Sequence, residues 1–310
     1  MSQPFVRPDV RAFLDYLNSF DGPRSHQVGL EQARGMMHAS RHAFDAEVGK
    51  LAMIRDIAGG PCPMRLFDAR SEREPGPVML FFHGGGFVLG DVDTHAPACA
   101  EIARLTDLPV VSVGYRLAPE HPFPAGVEDA IASARWVAGN PAELGLEATG
   151  LVLAGDSAGG NFTIVAAVAL RDEPAAAPVI AQWPIYPAAN PTKGYPSFND
   201  FGEGYLLTRE GMNWFDGCYA PDAADWRYDP LHQEQRGMPP TLVVTASLDP
   251  IRDQGRAYAA ACAQAGVSVV YLEAEGTIHG FLNLRKSLPS AQADLERCCA
   301  HLKLMIEGAR

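Results

Sequence analysis

The chain has 310 residues, 47% of them hydrophobic, and a formal net charge of -12. That length lets one large α/β domain, with or without a lid, bury a full core. The acidic excess, with no cluster of Lys or Arg, excludes nucleic acid and disfavours anionic membrane surfaces as partners, and it reads as a solvated surface.

Residues 1–10 hold Pro4, Arg7, Pro8 and Asp9 where a secretory signal needs a continuous apolar run, so no export signal is read there. From 9 to about 50 the pattern is helical, with Val10, Phe13, Leu14 and Leu17 at the spacing of an amphipathic face. His38 and His42 stand four apart, which would put two imidazoles on one helical face. No carboxylate ligand or Glu base lies between them, so the pair reads as a solvated or packed face and no metal is expected.

From 51 onward short apolar segments alternate with helical ones, the pattern of a mostly parallel sheet with crossover helices. The expected strands cover 51–57, 64–69, 78–82, 110–115, 151–155, 179–185, 241–246 and 267–273, and the helices 94–106, 126–139, 157–170, 252–265 and 287–306. One segment, 187–240, is too long for a simple connection and rich in aromatics. It reads either as a lid over an apolar pocket or as an insertion filling its own small core. The longest apolar stretch, 162–170, is about half of the roughly 20 residues that a bilayer requires and reads as a core helix. Six cysteines, at 62, 99, 218, 262, 298 and 299, contain no C-x-x-C pair and read as reduced thiols of a cytoplasmic protein.

Residues 155–159 read Gly-Asp-Ser-Ala-Gly and follow the apolar run Leu151, Val152, Leu153 and Ala154. A serine at a sharp strand-to-helix turn sits in a strained backbone conformation that lifts its hydroxyl clear of the sheet, and only small neighbours leave room for that turn. Gly155 and Gly159 supply the room, which makes Ser157 the candidate nucleophile. By themselves the five residues also fit a plain tight turn.

Acyl transfer further needs a base, an acid to orient it and donors for the oxyanion. His279 follows the last expected strand and Asp249 follows 241–246, so both leave the sheet at the same end as Ser157, where loops converge on one crevice. The chain order Ser, Asp, His is that of an α/β-hydrolase triad. Asp253, inside the next expected helix, is the rival acid. His83-Gly84-Gly85-Gly86-Phe87 directly follows the strand 78–82, and consecutive glycines let a backbone approach a ligand and turn its N–H groups toward one point. Gly84, Gly85 and Ala158 are the candidate oxyanion donors, and His83 braces the loop. The spacing fits neither a dinucleotide fingerprint nor a P-loop, which argues against a phosphate site.

With these motifs in this order, and with Tyr115-Arg116-Leu117-Ala118-Pro119-Glu120, His121-Pro122-Phe123-Pro124-Ala125 and Asp249-Pro250-Ile251-Arg252-Asp253, the chain resembles the hormone-sensitive lipase-like carboxylesterases, bacterial family IV, over roughly 60–305. The resemblance implies an α/β-hydrolase fold, an eight-stranded mostly parallel sheet flanked by helices, with a catalytic domain of 51–186 and 241–310. A helical cap would be built from 1–50 and the insertion 187–240. It implies hydrolysis of short- to medium-chain acyl esters, with Ser157 as nucleophile, His279 as base, Asp249 as its orienting partner and Gly84, Gly85 and Ala158 as oxyanion donors. No metal or organic cofactor is implied. The family also holds plant hormone receptors in which the catalytic histidine is replaced, and His279 argues against that outcome. A lactone, amide or carbamate hydrolase and a non-catalytic small-molecule binder remain the alternatives. Phe87, Leu206, Leu207, Trp214 and Phe281 are the expected pocket lining, the partner is a small ester, and the last strand, at a sheet edge, would allow a homodimer.

Overall fold

The computed structural model describes residues 4–308; positions 1–3, at the start of the expected 1–50 part, and 309–310, at the end of the expected 241–310 part, lie outside the described residues. Eight strands form one sheet: β1 (Met53–Ile57), β2 (Met64–Asp68), β3 (Gly76–Phe82), β4 (Val110–Val113), β5 (Ala148–Asp156), β6 (Val179–Ile185), β7 (Thr241–Leu248) and β8 (Val269–Ile278). Their order is β1-β2-β4-β3-β5-β6-β7-β8, with β2 antiparallel to both neighbours and the rest parallel. Val78 through Phe82 are all buried, because a central parallel strand is covered on both faces and needs no polar alternation. On β3, Val78, Leu80 and Phe82 belong to one apolar layer with Val127 of α4 (Ala125–Ala138) and Phe162 of α5 (Ala158–Asp172). Met79 and Phe81 belong to the other, with Cys99 and Ile102 of α3 (Ala96–Thr106) and Leu295 and Cys298 of α9 (Pro289–Gly308). None of the six cysteines is paired.

The element boundaries that differ from expectation have local causes. The N-terminal helical stretch is two helices, α1 (Pro8–Asn18) and α2 (Leu30–Phe44), broken where Gly22, Pro23 and Gly29 interrupt the pattern. Helix α3 starts at Ala96, two residues late, because Asp91 Oδ1 accepts the Asp93 and Thr94 N–H groups in a side-chain-built turn. Strand β8 runs past 273 to Ile278: the β7–β8 register shifts between Ala246 and Leu248, Gly276 takes φ +73°, and its N–H donates to Ser247 Oγ at 2.7 Å. That extension carries the chain directly to His279. The segment after β6 holds α6 (Pro196–Asp200) and α7 (Arg209–Tyr219), the latter capped by Thr208 Oγ1, which accepts from Gly211 N at 3.1 Å. Helix α8 (Arg252–Gln264) follows β7. Among the described residues no helix is long and apolar enough to cross a membrane.

Candidate active site

Strand β5 ends at Asp156 and α5 begins at Ala158, which leaves Ser157 alone to make the turn, at φ +57° and ψ -115°. This positive φ is strained for any side chain, and the surroundings enforce it. A methyl on Gly155 would collide with the carbonyl oxygens of Gly159 and Phe82, and one on Gly159 with the Phe82 carbonyl. Ser157 N–H donates to Ile185 O at 2.9 Å, and its carbonyl accepts from Ala188 N at 3.2 Å, so the turn is pinned to the strand beside it.

His279 Nε2 lies 2.8 Å from Ser157 Oγ, and His279 Nδ1 lies 2.7 Å from Asp249 Oδ2. The other Asp249 oxygen accepts the Ile251 N–H at 2.8 Å. Asp249 is fully buried, so its carboxylate answers to these two donors. The Tyr186 ring packs against the His279 imidazole with centroids 4.7 Å apart. Asp253 is set aside as the acid. In the first turn of α8, it pairs with Arg252 at 2.9 Å and Arg256 at 3.2 Å and accepts from Ser197 N.

The glycine loop requires a correction. Gly84 N–H donates to Asp156 Oδ1 at 2.7 Å, so it is spent and does not face a substrate. Gly85 and Gly86, at φ +122° and +60°, have N–H groups with no protein acceptor among the described residues, as has Ala158 at the first position of α5. The free trio is therefore Gly85, Gly86 and Ala158. His83 is buried beneath the loop: its Nδ1–H donates to Gly84 O at 2.8 Å, and its ring stacks on Tyr115 with centroids 4.2 Å apart. Burial, aided by the charge of nearby His95, pushes the His83 imidazole down to about 4. For Asp156 burial works upward, but the charge of His95 and the Gly84 N–H outweigh it and hold the carboxyl below its ordinary value.

Ser157, His279 and the glycine loop open into a cavity of about 910 Å³. Its walls come from α1 and α2 (Phe13, Met36, Phe44) and from the insertion (Met212, Trp214, Phe215). Phe87, Leu206, Leu207 and Trp214 are on the wall as expected from the sequence. Phe281 is not: it is buried behind the site with its ring edge-on to Tyr186 at 5.2 Å, since the short helical turn after His279 points it into the core. His38 pairs with Asp91 at 2.8 Å, and among the described residues no group of three or more His, Cys, Asp or Glu is arranged to hold a metal. Asp156, His95, Tyr186 and Gly86 were not singled out by sequence. The only signal for the first two was their place, inside the serine motif and in the Thr-His step after the glycine loop.

A family model described as alpha/beta hydrolase fold matches residues 79–283. Carboxylesterase NlhH of Mycobacterium tuberculosis is 38% identical over 317 positions, spanning 98% of this chain and 98% of that protein. An ester hydrolase from the metagenome of Lake Arreo, solved with a derivative of bipyridine phosphonate, is 34% identical with a TM-score of 0.90, over 98% of this chain and 99% of its own. The esterase of the archaeon Pyrobaculum calidifontis is 35% identical with a TM-score of 0.88, over 98% and 99%.

Proposed function

Because this chain belongs to the hormone-sensitive lipase-like carboxylesterases of the α/β-hydrolase fold and is a carboxylic ester hydrolase, we propose that Ser157, His279 and Asp249 carry the reaction. The unbroken contact from Asp249 through His279 to Ser157, at 2.7 and 2.8 Å, is the observation that carries this reading. His279 Nε2 takes the Ser157 proton as the oxygen attacks the ester carbonyl, and the buried Asp249 carboxylate stabilises the imidazolium without taking its proton. The N–H groups of Gly85, Gly86 and Ala158 receive the oxyanion, aided by the positive end of α5. The tetrahedral species collapses to an acyl-enzyme, His279 returns its proton to the departing alkoxide, and a water activated by His279 then releases the acid and restores Ser157.

The segments 1–50 and 187–240 act together as a cap over a catalytic domain of 51–186 and 241–310. Two contacts support this: Asn18 Nδ2 donates to Gly204 O at 3.1 Å, and His26 pairs with Glu210 at 3.1 Å. The roomy, largely apolar cavity suits short- to medium-chain acyl groups. Strand β8 ends the sheet and is the edge at which a second copy would pair, and the unpaired cysteines favour a reducing compartment. The test is a panel of p-nitrophenyl esters of increasing acyl length, with an anilide included, on wild type and Ser157→Ala. Turnover that falls off with long chains and vanishes in the variant is expected; unchanged turnover in the variant refutes the assignment.

A further inference from the structure

Behind the glycine loop lies a buried polar layer that the acyl-transfer steps do not themselves use. Asp156 Oδ1, besides accepting Gly84 N–H, stands 3.3 Å from His95 Nε2, and Oδ2 accepts the Tyr186 hydroxyl at 3.3 Å. Both His95 and Asp156 are almost wholly buried. The Thr94 hydroxyl lies 2.9 Å from Asp91 O and 3.0 Å from His95 Nδ1, which ties the imidazole to the turn before α3. Nε2 faces the Asp156 carboxylate, where a bare lone pair would be repelled and an N–H is attracted. The contact with Asp156 is electrostatic, for it is not aligned as a hydrogen bond. His83, with its ring centroid 5.4 Å from that of His95, spends its Nδ1–H on Gly84 O, and its buried Nε2 has no hydrogen-bond partner among the described residues, as befits a neutral ring.

Gly84 is therefore clamped on both sides, its N–H by Asp156 and its carbonyl by His83. The next two N–H groups are left free to face a ligand. We propose that His95 is a positioning residue: its Nε2 side, packed 3.3 Å from Asp156 Oδ1, fixes the carboxylate against Gly84 and so holds the Gly85 and Gly86 N–H groups where the oxyanion forms. The inference rests on the oxyanion hole proposed above. Without that imidazole the buried carboxylate keeps only the Gly84 N–H and the Tyr186 hydroxyl, and the Gly84 peptide is no longer held in one orientation. Substrate binding, which depends on the apolar cavity, is left as it was.

The expected signature is a loss in kcat without a loss in substrate affinity. His95→Gln lowers kcat by about a hundredfold with KM within threefold, the scale of losing one oxyanion donor. n-Butylboronic acid, which forms a tetrahedral anion on a serine, loses affinity in proportion to kcat. His95→Asn keeps a polar group at Thr94 and loses the one facing Asp156, and it shows the same loss should the glutamine variant not fold. The double variant His95→Gln/Asp156→Asn, whose neutral amide still accepts from Gly84, regains at least tenfold over His95→Gln. Rates are counted per site titrated with a phosphonate ester, so that only folded enzyme enters. A kcat within threefold of wild type, a rise in KM at constant kcat, an unmoved boronate affinity, or a double variant no better than the single one overturns the proposal. Turnover surviving in Ser157→Ala overturns the nucleophile instead, so the two failures are distinguishable.

Discussion

Replacing Asp249 by asparagine changes one proton and leaves the shape of the site intact. Asp249 Oδ1 is fixed as an acceptor, since Ile251 N–H, 2.8 Å away, can only donate. In Asp249→Asn the amide oxygen stays with Ile251, and the NH2 group turns to His279 Nδ1, now 2.7 Å from a carboxylate oxygen. Nδ1 must then accept, the ring proton moves to Nε2, and Nε2 faces Ser157 Oγ with a hydrogen where a lone pair is needed. The flipped amide keeps the right tautomer but sets its NH2 against Ile251 N–H at a fully buried position, at a cost of about 1–3 kcal/mol, so it gives little rescue. The expected loss in kcat is about 10⁴, or about 5.5 kcal/mol of barrier, with KM changed only a few-fold. Steady-state hydrolysis of p-nitrophenyl butyrate reads it, with a thermal melt to show that the fold persists. Asp253→Asn, in the rival carboxylate, keeps its rate within a few-fold. A kcat within tenfold of wild type in Asp249→Asn, or a larger loss in Asp253→Asn, would refute the reasoning.

In Gly86→Ala the new methyl falls on the Phe215 ring at a backbone φ of +60°, so the loop shifts and kcat drops by about 10²–10³; a rate unchanged in steady-state assays would remove Gly86 from the oxyanion hole. Acid weakens the fold through His83. The buried ring stays neutral down to about 4, whereas an unfolded imidazole takes its proton near 6.5, so this stability is complete above 6.5 and drains away as pH falls to about 4. At 1.36 kcal/mol for each tenfold in proton affinity the loss amounts to about 3 kcal/mol. Asp156, held below its ordinary value, adds a further loss below about pH 4. Urea midpoints at about pH 7 and about pH 4.5 measure the effect, which shrinks in His83→Gln; an equal drop in wild type and variant contradicts it. Trp214→Ala, on the cavity wall, shifts acyl preference toward longer chains, while Phe281→Leu, behind Tyr186, does not. Equal shifts in both would show that the wall has been wrongly drawn.

What the sequence made legible was local. Apolar runs such as Val78–Phe82 and Leu151–Ala154 read as strands, and each chemical motif follows one of the expected strands, so the sheet and the loops that converge on Ser157 followed from periodicity and turn chemistry. What was illegible depends on partners far along the chain. The glycine loop announces itself as a donor loop, but which of its N–H groups is consumed is decided by Asp156, 72 positions away. The fate of Phe281 is decided by Tyr186. His95 looked like the start of a helix; its meaning comes from a carboxylate brought beneath it by another strand.

The most direct test of the central claim is to treat the protein with a p-nitrophenyl alkylphosphonate and map the adduct by peptide mass spectrometry against residual activity. The account predicts one phosphonyl group per chain, on Ser157, activity lost in step with labelling, and labelling slowed by orders of magnitude in His279→Ala. An adduct on another residue, or full activity in protein labelled at Ser157, would contradict it.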